Sequence, residues 1–485
     1  MLAVLAFKLL LAVLVSLSCV LLGLRLHVSR ALRTWRRTGG RMTVGFLHPY
    51  CNDGGGGERV LWVAIRELIA RGLLDPVKWR IVVYTGDTIA DDEIRANAKR
   101  RFDVEVPEVV EFVRLTTRKW IEPKRYPVAT LLGQAFGSLI LAAEAVYLRP
   151  AELVVDTTGL HFCLPLLRTV GIPKLACYVH YPLISSDMLG AVAARKAAHN
   201  NSGIFARFAF VAALKLIYYR GLVALYQLAG RQSDCTMANG SWTAAHLRTL
   251  WGGDVKVVYP PCDTRSLQEL PIEPEGKGRS HVILSVAQFR PEKDHAKQLE
   301  AFAELMSIWR AMGSPAPRPK LVLAGAVRHD ADQARLDTLI TLAESLLRGY
   351  SEDEGCTLSA IIEFKANLPY SELRELLGTC KVGLHTMWNE HFGIGVVEML
   401  AAGVVPIAHN SGGPALDIVQ DGLTGRLATT AEQYAEAMAE LLVRPDADER
   451  RRSLAVAGRA SVASKFSETA FAEAMLSSMQ NVTTN

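Results

Sequence analysis

Apolar residues along the chain form two series of short runs that have the length and composition of buried strands. The predicted strands of the first series lie at 43–48, 79–84, 153–156, 175–180 and 235–238. Those of the second series lie at 281–286, 321–324, 361–366, 382–385 and 404–408. Helical runs alternate with the strands, which is typical of parallel sheets covered by helices. The pattern therefore predicts an α/β protein with two domains in tandem.

A polar segment rich in proline and glycine, at 271–279, separates the two series and is typical of a linker. The predicted N-terminal domain covers 42–270 and the predicted C-terminal domain covers 280–462, each with the alternation of a Rossmann-like fold. Ligands of such sheets bind beyond the carboxyl ends of the strands. We therefore expect a site in a cleft where the two domains face each other.

The first 24 residues are apolar except for Lys8 and two serines, which is close to the roughly 20 residues that cross a bilayer. Six arginines follow closely, at Arg25, Arg30, Arg33, Arg36, Arg37 and Arg41. Because basic residues beside a span are retained in the cytosol, 1–24 is predicted to be a single transmembrane anchor with the body cytosolic. A cleaved signal peptide is the alternative, but arginines stand where its cleavage site needs small residues.

Composition supports this picture of a folded, membrane-anchored protein. Half of the 485 residues are apolar, which excludes a disordered chain. The net charge of +5 is concentrated beside the anchor, so it favours a membrane and not nucleic acid as the partner. The eight cysteines show no metal-ligand spacing and are predicted to be buried in a reducing compartment. Sequons at Asn200, Asn239 and Asn481 are then expected to stay unused.

Two further apolar segments carry basic residues. The segment 204–229 contains Arg207, Lys215 and Arg220, and two interpretations are open: a core helix whose cations reach the surface, or a helix that touches a membrane. The other segment, 128–146, follows a cluster of basic and aromatic residues at 114–126. That cluster is interpreted either as a solvated loop or as a site for anionic headgroups or an acceptor pyrophosphate.

The clearest chemistry lies near the end of the second series, where Glu390 and Glu398 flank Gly393 and Gly395. The apolar run 396–402 predicts a helix that begins at the glycines, with Glu390 in the preceding loop and Glu398 about one turn in. Free amides at a helix N-terminus attract a pyrophosphate, and glycine lets it approach closely. The two carboxylates are suited to accept from sugar and ribose hydroxyls. This spacing predicts a nucleotide-sugar site.

Other motifs stand beyond predicted strands. Arg290 and Lys293 follow the strand 281–286 and are placed to neutralise a leaving diphosphate in a site without metal. His180 ends the strand 175–180 and is suited to hydrogen-bond a sugar. Two glycine turns are predicted to face phosphate, at 54–57 and at 411–414. The aspartates at 330, 332, 446 and 448 stand beside helices and are interpreted as caps and not as metal ligands.

These motifs occur together and in order: GGGGER at 54–59, HYP at 180–182, RPEK at 290–293, and two glutamates separated by seven residues. The combination resembles the family-four retaining glycosyltransferases of the GT-B fold. The strings PYCNDGGGGERVLW, YVHYPLISSDML, VVYPPCD, QFRPEKDH and NEHFGIGVVEMLAAG are similar to the mannosyltransferases that elongate dolichol-linked oligosaccharides. The resemblance covers about residues 43–470.

The resemblance implies transfer of mannose from GDP-mannose, in α-1,2 linkage and with retention, to a dolichyl-pyrophosphate-linked trimannosyl chitobiose and then to its tetramannosyl product. It places the reaction at the cytosolic face of the endoplasmic reticulum, without a metal or other cofactor. The implied partners are this membrane and other mannosyltransferases of the pathway. The family also has a C-terminal helix that crosses back to the first domain, here predicted within 463–485.

Site residues follow from the same resemblance. The catalytic candidates are His180, Lys293 and Glu390. The donor-binding candidates are Gly55, Gly56, Gly57, Arg290, Lys293, Phe392, Gly393, Ile394 and Glu398. The acceptor-binding candidates are Arg118, Lys119, Lys124 and Arg125. In many family members the arginine lies five residues before the lysine, where this chain has Gln288.

Three other functions remain open at this stage. Glu390 and Glu398 also fit the acid and base of an inverting glycosidase, whose carboxyl groups are roughly 6.5–9.5 Å apart. That function leaves the glycine loops and the cations unexplained. An inactive membrane scaffold with the same fold is a second alternative. A related transferase that uses a UDP-sugar or another lipid acceptor is the third.

Overall fold

The computed structural model describes residues 2–183, 209–262, 264–273, 278–313, 316–353 and 357–483. Its contacts divide the chain into two units. The first unit consists of Met1–Asn239, Thr243–Pro260 and Ala472–Asn485, and the second of Gly240–Trp242 and Pro261–Phe471. The features noted at Asn200, Arg207 and Cys356, and the side chain of Lys215, lie outside what is described.

The first unit is built on a seven-stranded parallel sheet with the order β3-β2-β1-β4-β5-β6-β7. Its helices and strands from the N-terminus are α1 (Leu2–Arg37), β1 (Met42–Leu47), α2 (Gly56–Ala70), β2 (Trp79–Thr85), α3 (Asp91–Phe102), β3 (Val110–Arg114), α4 (Thr130–Leu148), β4 (Leu153–Asp156), α5 (Leu164–Thr169), β5 (Lys174–Val179), α6 (Ala209–Gly230), β6 (Cys235–Ala238), α7 (Ser241–Trp251) and β7 (Val255–Val257). Short 3₁₀ helices at Thr116–Ile121 and Pro123–Arg125 lead into α4.

The second unit is built on a six-stranded parallel sheet with the order β10-β9-β8-β11-β12-β13. Its elements are α8 (Arg265–Gln268), β8 (Ser280–Val286), α9 (His295–Ala311), β9 (Lys320–Gly325), α10 (Asp330–Asp353), β10 (Ile362–Ala366), α11 (Tyr370–Thr379), β11 (Cys380–His385), α12 (Ile394–Ala402), β12 (Val405–His409), β13 (Arg426–Ala428), α13 (Ala431–Leu442) and α14 (Ala447–Lys465). The last helix, α15 (Glu468–Thr483), has most of its length in the first unit. The predicted α/β architecture with two parallel sheets is confirmed.

The central strands explain why their sequences are almost continuously apolar. Every residue of β4 and of β11 is buried, since helices cover both faces of each sheet. In the first unit Leu47 pairs with Asp156, and Val155 pairs with Ala176. This register brings the carboxyl ends of β1, β4 and β5 to the same edge of the sheet.

α1 is a continuous helix that extends through the arginine cluster to Arg37. The described side chains up to residue 20 are exposed, whereas Val28 and Leu32 are buried in the core of the first unit. Among the described residues, two helices are apolar enough by length and composition to cross a membrane, at Leu11–Arg37 and Thr130–Leu148. Six of the described cysteines are buried as predicted, but Cys19 is exposed because it lies on the apolar surface of α1.

The Arg279 side chain joins the linker to the rest of the second unit by hydrogen bonds. Its side chain is buried, and it donates to the carbonyl oxygens of Pro271, Ile272, Leu377, Cys380 and Ala402 at 2.6–2.9 Å. Burial lowers the pKa of Arg279 to about 10, so the group stays charged at neutral pH. Two of the five acceptors lie at the C-terminal ends of α11 and α12, where carbonyls lack partners within the helix. Arg279 therefore satisfies a free carbonyl group at the C-terminal end of α12, the helix that follows Glu390.

Candidate active site

Lys293 and Glu390 lie beyond the carboxyl ends of two neighbouring strands. Lys293 ends a short 3₁₀ helix after β8, and Glu390 lies in the loop after β11, which pairs with β8. The Lys293 Nζ lies 2.5 Å from the Glu390 Oε2 and 3.1 Å from the Met387 Sδ. The sequence placed both groups at strand ends, and the structure brings them into an ion pair.

His385, the last residue of β11, completes this cluster, which we call the Glu390 cluster (His385, Lys293 and Glu390). Its Nε2 lies 3.4 Å from the Glu390 Oε2, and the His385 side chain is only 8% exposed. Burial acts to raise the pKa of Glu390, but the hydrogen bond from His385 and the charge of Lys293 outweigh it and hold that pKa well below its usual range. Glu390 is therefore ionised, and both described partners engage Oε2, which leaves Oε1 to accept from a hydroxyl.

The helix predicted after Glu390 is confirmed as α12. Gly393 is its N-cap with φ +104°, a left-handed conformation that favours glycine, and Ile394 and Gly395 are its first two residues. Glu398 is the fifth helical residue and is half-buried. Phe392 is buried, and its ring centroid lies 5.6 Å from that of Phe466.

The glycine turn at 411–414 packs against the loop that carries Glu390. The Gly413 amide donates to the Glu390 carbonyl at 2.7 Å, and a Cβ at either Gly412 or Gly413 would collide with the backbone of the 389–392 loop. Ser411 Oγ accepts from the Asn389 amide at 2.8 Å. These small residues thus hold the Glu390 loop against the rest of the unit, and the phosphate-facing role of the turn stays a prediction.

Arg290 precedes the 3₁₀ helix and its carbonyl accepts from the Lys293 amide at 3.1 Å, so it lies at the same sheet edge. Within the described part of the chain its guanidinium forms no ion pair, with Glu292 or with another carboxylate. Two of the aspartates interpreted as caps have side-chain partners: Asp332 accepts from the Arg328 amide at 2.9 Å, and Asp448 pairs with Lys381 at 2.7 Å.

In the first unit the glycine loop is held by Glu58. Glu58 Oε2 accepts from the Gly55 amide, and Oε1 accepts from His48 Nε2 at 3.2 Å. The Glu58 side chain is 11% exposed. Burial acts to raise the pKa of Glu58, but its hydrogen bond to His48 and the nearby amides lower it below its usual value. An ionised, buried carboxylate thus fixes the start of α2.

A hydrogen-bonded chain continues from Glu58 to His180. His48 Nδ1 lies 2.7 Å from Thr157 Oγ1, and the Nε2 of His180 donates to the Thr157 carbonyl at 3.2 Å. Burial lowers the pKa of His180 to about 4, so its imidazole is neutral near pH 7. With the proton on Nε2, the lone pair of Nδ1 is left to accept from a sugar hydroxyl. The predicted glycine loop and His180 therefore belong to one arrangement, since a Cβ added at Gly57 would lie 3.6 Å from His180 Nε2.

The four basic acceptor candidates are not equivalent. Arg118 forms an ion pair with Asp87 at 2.7 Å and lies over the Tyr50 ring, so its charge is already matched. Lys119, Lys124 and Arg125 are exposed, and the guanidinium of Arg125 stacks 3.9 Å from the centroid of Trp120. Only these three present charge to the surroundings.

Sequence reasoning missed four polar residues at the sites: His48, Glu58, Thr157 and His385. Three of them stand at or just beyond the end of a predicted strand, which is where functional side chains of parallel sheets gather. Glu58 lies three residues after Gly55, the spacing of a capping box. Both the strand ends and the spacing of Gly55 and Glu58 can be read from the sequence.

A pH experiment tests the neutral state of His180. Its pKa is 6.5 in a free chain and about 4 in the folded protein, so between these values the unfolded state binds a proton that the folded state does not. Above pH 6.5 His180 is neutral in both states and adds no pH dependence to the free energy of unfolding. As pH falls from 6.5 to about 4, protonation of the unfolded state lowers the free energy of unfolding. We expect His180→Gln to lose stability less steeply from pH 6.5 to pH 4 in denaturant titrations. Parallel curves for both proteins would contradict a buried neutral imidazole.

Known protein families match both halves of the chain. The family model described as ALG11 mannosyltransferase N-terminus matches residues 41–251, and the glycosyl transferases group 1 model matches 268–460. A curated relative from Homo sapiens, named GDP-Man:Man(3)GlcNAc(2)-PP-Dol alpha-1,2-mannosyltransferase, is 42% identical over 96% of this chain and 93% of its own. A relative of the same name from Dictyostelium discoideum is 42% identical over 83% of this chain and 78% of its own.

Solved structures with low sequence identity to this chain have the same fold. A UDP-forming trehalose-phosphate synthase from Burkholderia xenovorans superposes with a TM-score of 0.63 at 12% identity, over 92% of this chain and all of that chain. A glycosyltransferase from Rickettsia africae superposes with a TM-score of 0.59 at 14% identity, over 92% of this chain and 99% of that chain. Two parallel-sheet α/β units are the fold of GT-B glycosyltransferases.

Proposed function

This chain belongs to the family of GDP-Man:Man(3)GlcNAc(2)-PP-Dol alpha-1,2-mannosyltransferases, and we propose how its strand-end residues serve that family's reaction. It transfers mannose from GDP-mannose, in α-1,2 linkage, to the dolichyl-pyrophosphate-linked trimannosyl chitobiose. The observation that carries the residue assignment is the Glu390 cluster. Its ionised carboxylate contacts the side chains of Lys293 and His385 and lies just before the N-terminus of α12.

The donor is assigned to groups at the edge of the second sheet. The first amides of α12 and the ammonium of Lys293 bind the diphosphate, with Arg290 as a further cation. Glu398, one turn into the helix, accepts from the ribose diol. Glu390 accepts from mannose hydroxyls through Oε1. In the first unit, the glycine loop binds phosphate and the neutral His180 accepts from a mannose hydroxyl.

Retention requires the acceptor to enter on the face that GDP leaves. The bond between the mannose C1 and the β-phosphate oxygen breaks, and a bond from C1 to the acceptor oxygen forms. The proton of the acceptor hydroxyl passes to the departing phosphate oxygen, so no protein nucleophile is needed. The protein contributes positioning and the stabilisation of the charge that develops on the diphosphate, with Lys293 as the nearest fixed cation.

The electrostatics of Glu390 argue against its use as the acid of a hydrolase. A glycosidase acid must carry a proton near neutral pH, which requires a raised pKa. Glu390 has the opposite shift because His385 and Lys293 stabilise its charged form. It is therefore suited to accept hydrogen bonds and not to donate a proton.

The further proposals concern cofactor, product and location. Fixed cations take the place that a divalent metal has in other transferases, so transfer proceeds without metal. The enzyme adds a second mannose to the tetramannosyl product. It works at the cytosolic face of the endoplasmic reticulum, anchored once through the apolar part of α1 and beside other mannosyltransferases of the pathway. The length and exposed apolar surface of α1 support the anchor.

A transfer assay with the full chain in detergent tests these proposals. Purified protein is incubated with GDP-mannose or UDP-sugars and dolichyl-pyrophosphate oligosaccharides of increasing length, with and without EDTA. We expect mannose to be added from GDP-mannose alone, in the presence of EDTA, in a linkage that an α-1,2-mannosidase cleaves. Release of free mannose at the same rate without acceptor, or a strict need for metal, would overturn the mechanism.

A further inference from the structure

Arg101, in the last turn of α3, lies against the glycine loop of the first unit although it belongs to another element. Its guanidinium donates to the carbonyl of Asn52, which stands just before the loop. A Cβ added at Gly54 would lie 2.9 Å from Arg101 Nη1 and 3.1 Å from Arg101 Cδ. Gly54 also has φ +82°, a left-handed conformation that favours glycine. The first glycine of the loop is therefore required both by its backbone and by the close approach of this arginine.

The turn that Arg101 contacts is fixed by other side chains. The Asn52 amide donates to Asp87 Oδ2 at 3.1 Å, and Asn52 Oδ1 accepts from Asn97 Nδ2 at 2.9 Å. Asn97 is buried, and it lies about one turn before Arg101 in α3. Arg59, in the first turn of α2, donates to a carbonyl at the end of α3 at 3.1 Å. Arg101 therefore reaches the loop from a fixed helix end, which lowers the entropic cost of binding a ligand.

The charge of Arg101 is unmatched among the described residues. The two preceding residues are also basic, but each has a partner close by. Lys99 pairs with Asp103 at 2.8 Å. Arg100 donates to Asn97 Oδ1. Arg101 forms no ion pair with any described carboxylate, and its side chain is exposed. Because a guanidinium has about five N–H donors, the bond to the turn leaves most of them for another group.

The start of α2 does not supply the positive charge that a phosphate needs. The Gly55 amide is already occupied by the Glu58 carboxylate. The charge of Glu58 also offsets the partial positive charge of the helix N-terminus, which would otherwise attract an anion. Arg118, another cation near this loop, is matched by Asp87 at 2.7 Å. Arg101, in contrast, brings an unmatched charge to the loop.

Carboxylates around the loop make such a cation necessary. Asp53 immediately precedes the glycines, and its pKa is raised by burial and by the charges of Glu58 and Asp87. Asp53 forms no ion pair with Arg101 within the part of the chain that is described. A phosphate that approaches the loop meets the same negative charges. Its binding there consequently requires a fixed positive charge close by.

We propose that Arg101 is a phosphate-binding residue of the glycine loop, where its planar guanidinium donates to two phosphate oxygens. The ligand is a diphosphate, and both substrates of the proposed reaction carry one. The donor has it between guanosine and mannose, and the acceptor has it between dolichol and the oligosaccharide. This inference rests on the proposed function and adds to it a residue outside the sequence motifs.

Kinetics of Arg101→Gln in the transfer assay test this role. Glutamine keeps a donor for the Asn52 carbonyl but removes the charge. We expect KM for a diphosphate substrate to rise by about 10- to 100-fold, the effect of losing one hydrogen bond to a charged group, while kcat changes much less. Arg101→Lys is expected to recover part of the loss, because it keeps the charge but not the fork of donors. Lys99→Gln removes a charge from the same helix turn and is expected to leave both KM values unchanged.

The two substrates are varied separately, so the result identifies the source of the diphosphate. A rise in KM for GDP-mannose assigns Arg101 to the donor, and a rise for the lipid acceptor assigns it to the acceptor pyrophosphate. Unchanged KM values in Arg101→Gln, or an equal rise in Lys99→Gln, would overturn the proposal. A fall in kcat alone would also overturn it, since Arg101 would then only hold the Asn52 turn. The wild-type protein is assayed alongside, and the proposed function itself fails only if that protein transfers no mannose.

Discussion

Replacement of Glu390 by glutamine is expected to lower kcat for mannose transfer by about 100- to 1,000-fold, the range seen when one preorganised polar group is removed from a transition-state site. Glutamine keeps the shape of the side chain but loses the charge that accepts from His385 and Lys293. It also leaves the Lys293 ammonium partly buried without its counter-ion. Steady-state kinetics with GDP-mannose and a lipid acceptor measure the loss.

The coupling between Glu390 and Lys293 gives this prediction a sharper form. Lys293→Met alone is expected to cost a similar factor, and the double variant much less than the product of the two, because the side chains act as one unit. Glu436→Gln is a matched control, since this glutamate is exposed on α13 and pairs with Arg444 at the surface. If the loss of kcat in the double variant equals the product of the two single losses, the ion pair has no functional role. A comparable loss in Glu436→Gln would indicate general misfolding.

Arg279→Met is expected to destabilise the second unit by about 3 kcal/mol or more. The substitution leaves five carbonyl oxygens without their donor, and each unsatisfied buried polar group costs about 1–3 kcal/mol. Arg279→Lys is expected to recover only part of the loss, because an ammonium lacks the fork of five donors that reaches carbonyls in several directions. Denaturant titration followed by tryptophan fluorescence measures the change.

Arg452→Met provides the comparison for Arg279. The Arg452 side chain is 62% exposed, so its replacement is expected to change the free energy of unfolding by less than about 0.5 kcal/mol. Equal effects of the two substitutions would show that the buried hydrogen bonds of Arg279 contribute little. A loss of GDP-mannose binding in Arg279→Met at temperatures where the unit stays folded would further show that the linker supports α12.

The fold was largely predictable because central parallel strands are buried on both faces. Runs such as 153–156 and 382–385 are therefore nearly all apolar and stand out in the sequence. The three strands that were not predicted, β3, β7 and β13, lie at sheet edges. There only one neighbour and part of one face require apolar residues, so segments such as Val255–Val257 carry lysine or arginine and resemble loops.

The candidate site was predictable only as far as strand ends and helix starts determine it. Lys293, Glu390 and the glycines at the start of α12 follow from that rule. The partners His48, Thr157 and His385 do not, because their contacts depend on strand register and on side-chain conformations. Gly412 and Gly413 show another limit, since the sequence does not reveal that their lack of a Cβ is required by a close backbone contact.

The position of α15 has a consequence for biosynthesis. Residues 472–483 complete the first unit, where Ala472 and Met479 are fully buried and the Cys235 thiol of β6 donates to the Ser478 carbonyl. A ribosome makes α1 first and α15 last, so the second unit is able to fold while the first unit still lacks a helix of its core. The nascent first unit therefore exposes apolar surface until α15 is made, and premature termination before α15 is expected to lead to degradation of the chain.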